Sequence, residues 1–270
     1  MRLAGWVLLL IGLTAHAAEE PVQGPASSIG AAAHGCLQGG ASLPETGPGW
    51  QVLRPDHNRF WGTPALISVL EEHAASIAGK SSFLVGDMSL PRGGRMPTGH
   101  ASHQTGLDAD ILFRQTDHPL TAEERDDPDF SPVFDDKGKF VKDRWGAAQV
   151  ALLRGFAEDK RVERIFVNPV IKRNLCRSQK KGDTAWLHRV RPWWGHAAHF
   201  HVRLACPVGD VNCEAGPTIA EGDGCGAELN WWFTAEANSP AEPTPPPSTK
   251  IPPRYNANMP LACKEILAGN

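Results

Sequence analysis

The chain has 270 residues, of which 41% are hydrophobic and 21% charged, and this excludes a disordered, collagenous or coiled-coil protein. A net charge of -3 offers no general attraction to nucleic acid or anionic lipid, so neither is expected as a partner. The 27 glycines and 23 prolines predict a compact body with long irregular connections, and the nine tryptophans read first as core filling and second as contact surface.

Arg2 precedes a short apolar run from Leu3 to Leu13, and Ala15-His16-Ala17 supplies the small-x-small pattern of a signal-peptidase site. A leader over residues 1–17, cut after Ala17, is therefore expected, with an uncleaved anchor as the alternative. No later stretch is apolar enough to span a membrane, so an exported, periplasmic protein is anticipated. In that oxidising space the six cysteines (Cys36, Cys176, Cys206, Cys213, Cys225 and Cys263) imply three disulfides. Spacing leaves the pairing open. Only Cys206–Cys213 is locally attractive, across the turn-rich Pro207, Gly209 and Asp210.

Residues 18–50 lack periodicity and read as an irregular wrapping segment. Thr63-Pro64 opens a helix carrying Leu66, Val69, Leu70, Ala74 and Ile77 on one stripe, ended by Gly79. Strands are expected at Ser82–Met88, Leu107–Phe113, Arg164–Pro169 and Ala198–Leu204, and a helix at Trp145–Lys160. Residues 115–143 read as a long surface insertion, and 238–270 as a Pro-rich tail stapled back to the body through Cys263. One α+β domain over 18–237 results.

Two histidine clusters carry the chemistry. One runs Gly99-His100-Ala101-Ser102-His103 to Leu107-Asp108-Ala109-Asp110, and the other is His196-Ala197-Ala198-His199-Phe200-His201. Strand alternation puts Asp108 and Asp110 on one face of the first strand, and His199, His201 and Arg203 on one face of the second. If the strands are neighbours, imidazoles and carboxylates converge in one groove. Two imidazoles and a carboxylate suit Zn²⁺ with a position left for water, which is a chemical site and not a closed structural one.

These two motifs, His103 with Asp110 seven residues on and the distant His199-Phe200-His201, resemble the signature of the penicillin-insensitive murein endopeptidases. That family belongs to the peptidoglycan metallopeptidases that include lysostaphin-type enzymes, D-Ala-D-Ala peptidases and the hedgehog amino-terminal domain. The likeness runs from Ser27-Ser28-Ile29-Gly30 to Gly222-Asp223-Gly224-Cys225-Gly226 and takes in the Pro-rich tail. It implies an antiparallel sheet with flanking helices and long loops, and disulfides Cys36–Cys263, Cys176–Cys225 and Cys206–Cys213.

The resemblance further implies a zinc endopeptidase that cuts D-alanyl–meso-diaminopimelate cross-bridges of peptidoglycan with metal-activated water. Lacking a serine to acylate, such an enzyme ignores β-lactams. His103, Asp110 and His201 are implied as metal ligands and His199 as the proton-handling residue, with His196 as its competitor. Ala198 stands where the D-Ala-D-Ala branch has a glutamate, so an imidazole must serve. His100 and Asp136 are weaker candidates for a second metal, since Phe140 occupies a place where a histidine is expected. Arg92 and Arg95 are candidates for pairing with substrate carboxylates. A non-catalytic hedgehog-like zinc module and a peptidoglycan amidase are the alternative functions.

Overall fold

The computed structural model describes residues 19–97, 100–180, 182–239 and 253–268. The expected leader over 1–17 lies outside the described residues, as does most of the Pro-rich stretch. The chain order is β1 (Ser27–Ala31), β2 (His34–Gln38), β3 (Ala41–Ser42), β4 (Thr46–Gly47), β5 (Trp50–Val52), β6 (Trp61–Gly62), α1 (Pro64–Ala75), β7 (Ser82–Val85) and β8 (Asp108–Thr116). There follow α2 (Ala122–Asp126), α3 (Ala147–Glu158), β9 (Val162–Val167), α4 (Pro169–Ser178), β10 (Val190–Pro192), β11 (His199–Leu204), α5 (Ala227–Trp231) and α6 (Ala262–Ala268). Among the described residues no helix is long and apolar enough to cross a membrane.

Seven strands form one sheet in the order β10-β9-β11-β8-β7-β5-β4. Its pairings are antiparallel except β10 with β9 and β5 with β7, so the expected antiparallel sheet is a mixed one. One face carries the core. Phe113 of β8 and Phe200 of β11 stack at 5.4 Å between centroids, and Phe156 of α3 meets Phe200 at 5.6 Å. Leu66, Val69 and Leu70 of α1 complete this layer, all fully buried. Each such side chain contributes about 1.5–3 kcal/mol on leaving water. The helix α1 starts where it does because Thr63 Oγ1 accepts from Leu66 N at 3.2 Å, with Pro64 just inside.

Three of the sequence expectations need correction. Residues 18–50 are not irregular: β1 and β2 form a hairpin, and β3 to β5 lie there too. The hairpin is covered by α6 through Ile29, Cys36, Cys263 and Ile266, so its strands are buried on successive residues and show no alternation. Next, α5 and α6 lie in segments without a clear apolar period, and α4 carries its buried Ile171 and Leu175 directly after the expected strand. In the 115–143 insertion β8 runs on to Thr116, α2 is opened by a Thr121–Glu124 capping box, and Phe140 packs on Trp145 at 5.1 Å. The disulfides are Cys36–Cys263, Cys176–Cys225 and Cys206–Cys213, as the resemblance implies.

Candidate metal centre

The strands β8 and β11 are antiparallel neighbours, with His201 opposite Asp110 and Arg203 opposite Asp108. The period of two therefore sends Phe200, Val202 and Leu204 into the core and His199, His201 and Arg203 to the other face, where Asp108 and Asp110 wait. His103 arrives from the loop before β8. Its backbone is left-handed, at φ 65°, and is held by its N–H donating to Asp108 Oδ2 at 3.0 Å. Such a conformation in a histidine costs free energy that its surroundings must supply.

Asp110 is the hub. Its Oδ1 lies 3.2 Å from His201 Nδ1, 3.4 Å from His103 Nε2 and 3.8 Å from His199 Nε2, and its Oδ2 is 3.6 Å from His100 Nδ1. Behind this ring a second layer of carboxylates fixes the imidazoles. His201 Nε2 donates to Asp108 Oδ1 at 3.0 Å, and Arg203 Nε donates to the same oxygen at 2.6 Å. His100 Nε2 donates to Asp87 Oδ2 at 2.7 Å. In both rings Nδ1 is thereby turned toward Asp110, the arrangement by which carboxylates orient imidazoles whose Nδ1 gives up its proton to a metal ion.

Among the buried atoms without a hydrogen-bond partner are both ring nitrogens of His103 and Oδ1 of Asp110. Such orphans are costly in a protein interior, and one cation between them would satisfy His103 Nε2 and Asp110 Oδ1 together. One ligand atom each from His100, His103 and Asp110 lies within 4.8 Å of the others, a group able to hold a metal ion. His103 and Asp110 also belong to the ligand set implied by the sequence, whose third member, His201, meets the same Asp110 oxygen. Imidazole nitrogens with one carboxylate oxygen are a donor set suited to zinc.

Burial alone would raise the Asp108 and Asp110 carboxyls, but the guanidinium of Arg203 and the imidazole of His201 hold Asp108 well below the usual range, and His103 and His199 do the same for Asp110. Burial likewise lowers His201, yet Asp108 and Asp110 prevail and pull it up to about 9. Desolvation depresses His103 and His199, against the pull of Asp110, and pushes His196 down to about 4. His199 is thus held toward its neutral form beside the Asp110 carboxylate.

A cavity of about 260 Å³ opens beside Asp110, walled by His100, His199, Asp87, Arg54, Arg59 and Phe130. Arg54 and Arg59 ion-pair with Asp87 at 3.3 and 3.0 Å. Burial would raise Asp87, but the His100 hydrogen bond and these two guanidinium groups bring it to about 2. The arginines named from the sequence lie elsewhere. Arg92 donates to the Glu20 and Ile266 carbonyls at 2.7 and 3.3 Å, tying the N-terminal segment to α6. The Arg95 N–H donates to the Arg254 carbonyl at 3.2 Å in the same clasp. Asp136 sits on an exposed turn whose loop is tied by Asp135, outside the converging group.

His196 flanks the site on the other side. Its ring is 5.0 Å from His199 and 6.0 Å from His201, and its Nδ1 donates to the Trp194 carbonyl at 2.7 Å. Asn168, the N-cap of α4, accepts from Val170 N and donates from Nδ2 to Gly195 O at 2.7 Å, while its own N–H bonds the His196 carbonyl. Sequence reasoning missed Asp87, Arg54, Arg59 and the orienting role of Asp108. Only the last left a signal, the Asp-x-Asp spacing opposite His-x-Arg.

A family model described as penicillin-insensitive murein endopeptidase matches residues 28–268. Proteins of that name from Klebsiella pneumoniae and Haemophilus influenzae are 41% and 42% identical to this chain over 251 and 247 residues. These spans cover 92% and 90% of it, and 88% and 83% of the relatives. The namesake from Salmonella heidelberg is 41% identical over 92% of the chain and 88% of its own length. Identity of this order over nearly the whole length, with imidazoles and carboxylates gathered around Asp110, leaves one conclusion: the chain belongs to the penicillin-insensitive murein endopeptidase family.

Proposed function

We propose that this chain is an exported, periplasmic zinc metallo-endopeptidase, freed of a 1–17 leader, that cleaves the D-alanyl–meso-diaminopimelate cross-links of peptidoglycan. The observation that carries the reading is the set of orphaned donor atoms on His103 and Asp110, facing His201 Nδ1 at the edge of a cavity. His103, Asp110 and His201 hold the ion. His201 takes the third place over His100 because it is buried and locked through Asp108 to Arg203, whereas His100 is the more exposed ring.

Bound there, zinc acts as a Lewis acid that lowers the pKa of water and polarises the scissile carbonyl. The chain does the rest. His199, neutral and 3.8 Å from the Asp110 oxygen, accepts a proton at Nε2 and returns it to the leaving amine. His196, with Nδ1 committed to Trp194 and its ring 5.0 Å from that of His199, is a lesser helper. Arg54 and Arg59, and not Arg92 and Arg95, are the cations that meet a substrate carboxylate in the cavity. Asp87 spaces them and sets the His100 ring.

Digestion of purified sacculi with and without chelator tests the reading, with mass spectrometry of the products. Metal-dependent release of D-alanyl–diaminopimelate-cleaved monomers is expected. Cleavage at the lactyl amide makes the protein an amidase, and zinc binding without any hydrolysis makes it a non-catalytic module.

A further inference from the structure

Two stretches outside the centre bring four indoles together. Trp193 and Trp194 follow β10, and Trp231 and Trp232 close α5. Trp194 lies 4.3 Å from Trp232 and 6.1 Å from Trp231 between ring centroids, and Trp193 lies 5.4 Å from Trp194. The rings meet at 56–83°, so the patch presents tilted indole faces and edges. Trp193, Trp194 and Trp231 nevertheless stay 48%, 49% and 38% exposed. Leaving that much indole in water is unfavourable without a partner.

The support beneath is stiff. Trp193 N–H donates to the Val167 carbonyl at 2.9 Å, Asn168 holds Gly195, and Cys176–Cys225 ties the root of α5 to α4. The patch is also continuous with the metal centre. Trp193 meets Phe166 edge to face at 5.7 Å, Phe166 meets His201 at 5.4 Å, and the Trp194 carbonyl accepts from His196.

We infer that this tryptophan cluster is a binding surface for the polysaccharide strand from which the cross-linked peptides hang. The inference rests on the peptidoglycan reading above. A pyranose presents a face of C–H bonds that stacks on an indole while its hydroxyl rim stays in water, and neither partner needs charge. A lipid surface would instead call for free cations among the aromatics. The arginines beside this patch are committed: Arg191 pairs with Glu228 at 2.5 Å, and Arg173 lies over Phe233 at 3.6 Å. Indole faces reaching the metal centre through Phe166 and His196 would hold the strand while its peptide enters the cavity.

The test uses the whole protein and immobilised glycan strands stripped of their stem peptides. Trp231→Ala and Trp194→Ala should each weaken capture about tenfold, the loss expected of one aromatic anchor, and Trp231→Phe should restore most of it. Chelator should not matter to capture. Cleavage of a soluble, sugar-free cross-linked peptide should be unchanged in Trp231→Ala. Equal capture by wild type and both alanine variants overturns the inference, and so does tryptophan-dependent capture by anionic phospholipid vesicles with none by glycan. If wild type cleaves no cross-linked peptide yet binds glycan through these tryptophans, the hydrolase reading fails and this one stands.

Discussion

Replacing Asp108 by asparagine tests whether the metal centre depends on a residue that touches no metal. The carboxylate is fully buried and accepts four hydrogen bonds: at Oδ1 from His201 Nε2 (3.0 Å) and Arg203 Nε (2.6 Å), and at Oδ2 from His103 N (3.0 Å) and an Arg203 terminal nitrogen (3.3 Å). An amide keeps the shape but has one donor end. Whichever way it is turned, its NH₂ faces two donors and two bonds are lost. Bonds to charged groups are worth about 1.5–3 kcal/mol each, and breaking a buried pair typically costs about 3–5 kcal/mol, so a loss of about 3–5 kcal/mol is expected for the metal-free protein. Freed of Asp108, the His201 ring no longer has its Nδ1 aimed at Asp110, and metal affinity should fall about 10–100-fold. Urea unfolding of the metal-free protein measures the first effect. Competition with a chromogenic chelator measures the second. If Asp108→Asn unfolds within 1 kcal/mol of wild type and holds zinc equally well, the orienting role argued here is wrong.

Four further outcomes are expected. Chelation, His103→Ala and His201→Ala should each abolish hydrolysis, whereas a β-lactam should leave it intact and form no adduct visible by mass spectrometry. His199→Ala should retain its zinc and lose about 10²–10⁴-fold in turnover, and His196→Ala should lose less; the reverse order exchanges their roles. Asp159 is held at about 2, down from 3.8, chiefly by hydrogen bonds from Arg161. Its folded pKa is depressed, so its stabilisation is complete above 3.8 and is lost as pH falls through 2. Asp159→Asn should therefore cost about 1 kcal/mol at pH 7, after screening at the exposed Arg161, and flatten the acid limb of the stability curve. Finally, removing Cys36–Cys263, which spans 227 residues, should lower stability by up to about 5 kcal/mol in urea; a loss below 1 kcal/mol contradicts the loop-closure account.

The histidines and aspartates of the centre were readable because strand alternation is local: once β8 and β11 are strands, which side chains share a face follows from counting. That the two strands are neighbours is a tertiary fact, and the family motif stood in for it. Arg54 and Arg59 left no trace, since they reach the cavity only through a loop in which Arg54 and Asn58 adopt φ values of 50° and 53°. Arg92 and Arg95 misled for the same reason in reverse. Glycines beside arginines look like a binding loop, but the Arg92 side chain clasps Glu20 and Ile266, and the Arg95 backbone N–H is tied to Arg254. The helix α4 escaped notice because Lys172 sits within its buried face, donating to the Leu187 and Asp223 carbonyls at 2.7 and 2.5 Å. A lysine there breaks the apolar stripe, although its environment, chiefly desolvation, holds its pKa near 7.

Asp108 and His201 are 93 residues apart in sequence, and β11 is flanked in the sheet by β8 on one side and β9 on the other. Closing so long a loop comes late, because the entropy of bringing distant segments together must be met before their contacts repay it. The ligand set thus exists only in a chain whose central strands have already paired. A nascent or partly folded chain has the histidines but no centre, and acquisition of metal becomes a clock for completion of the sheet.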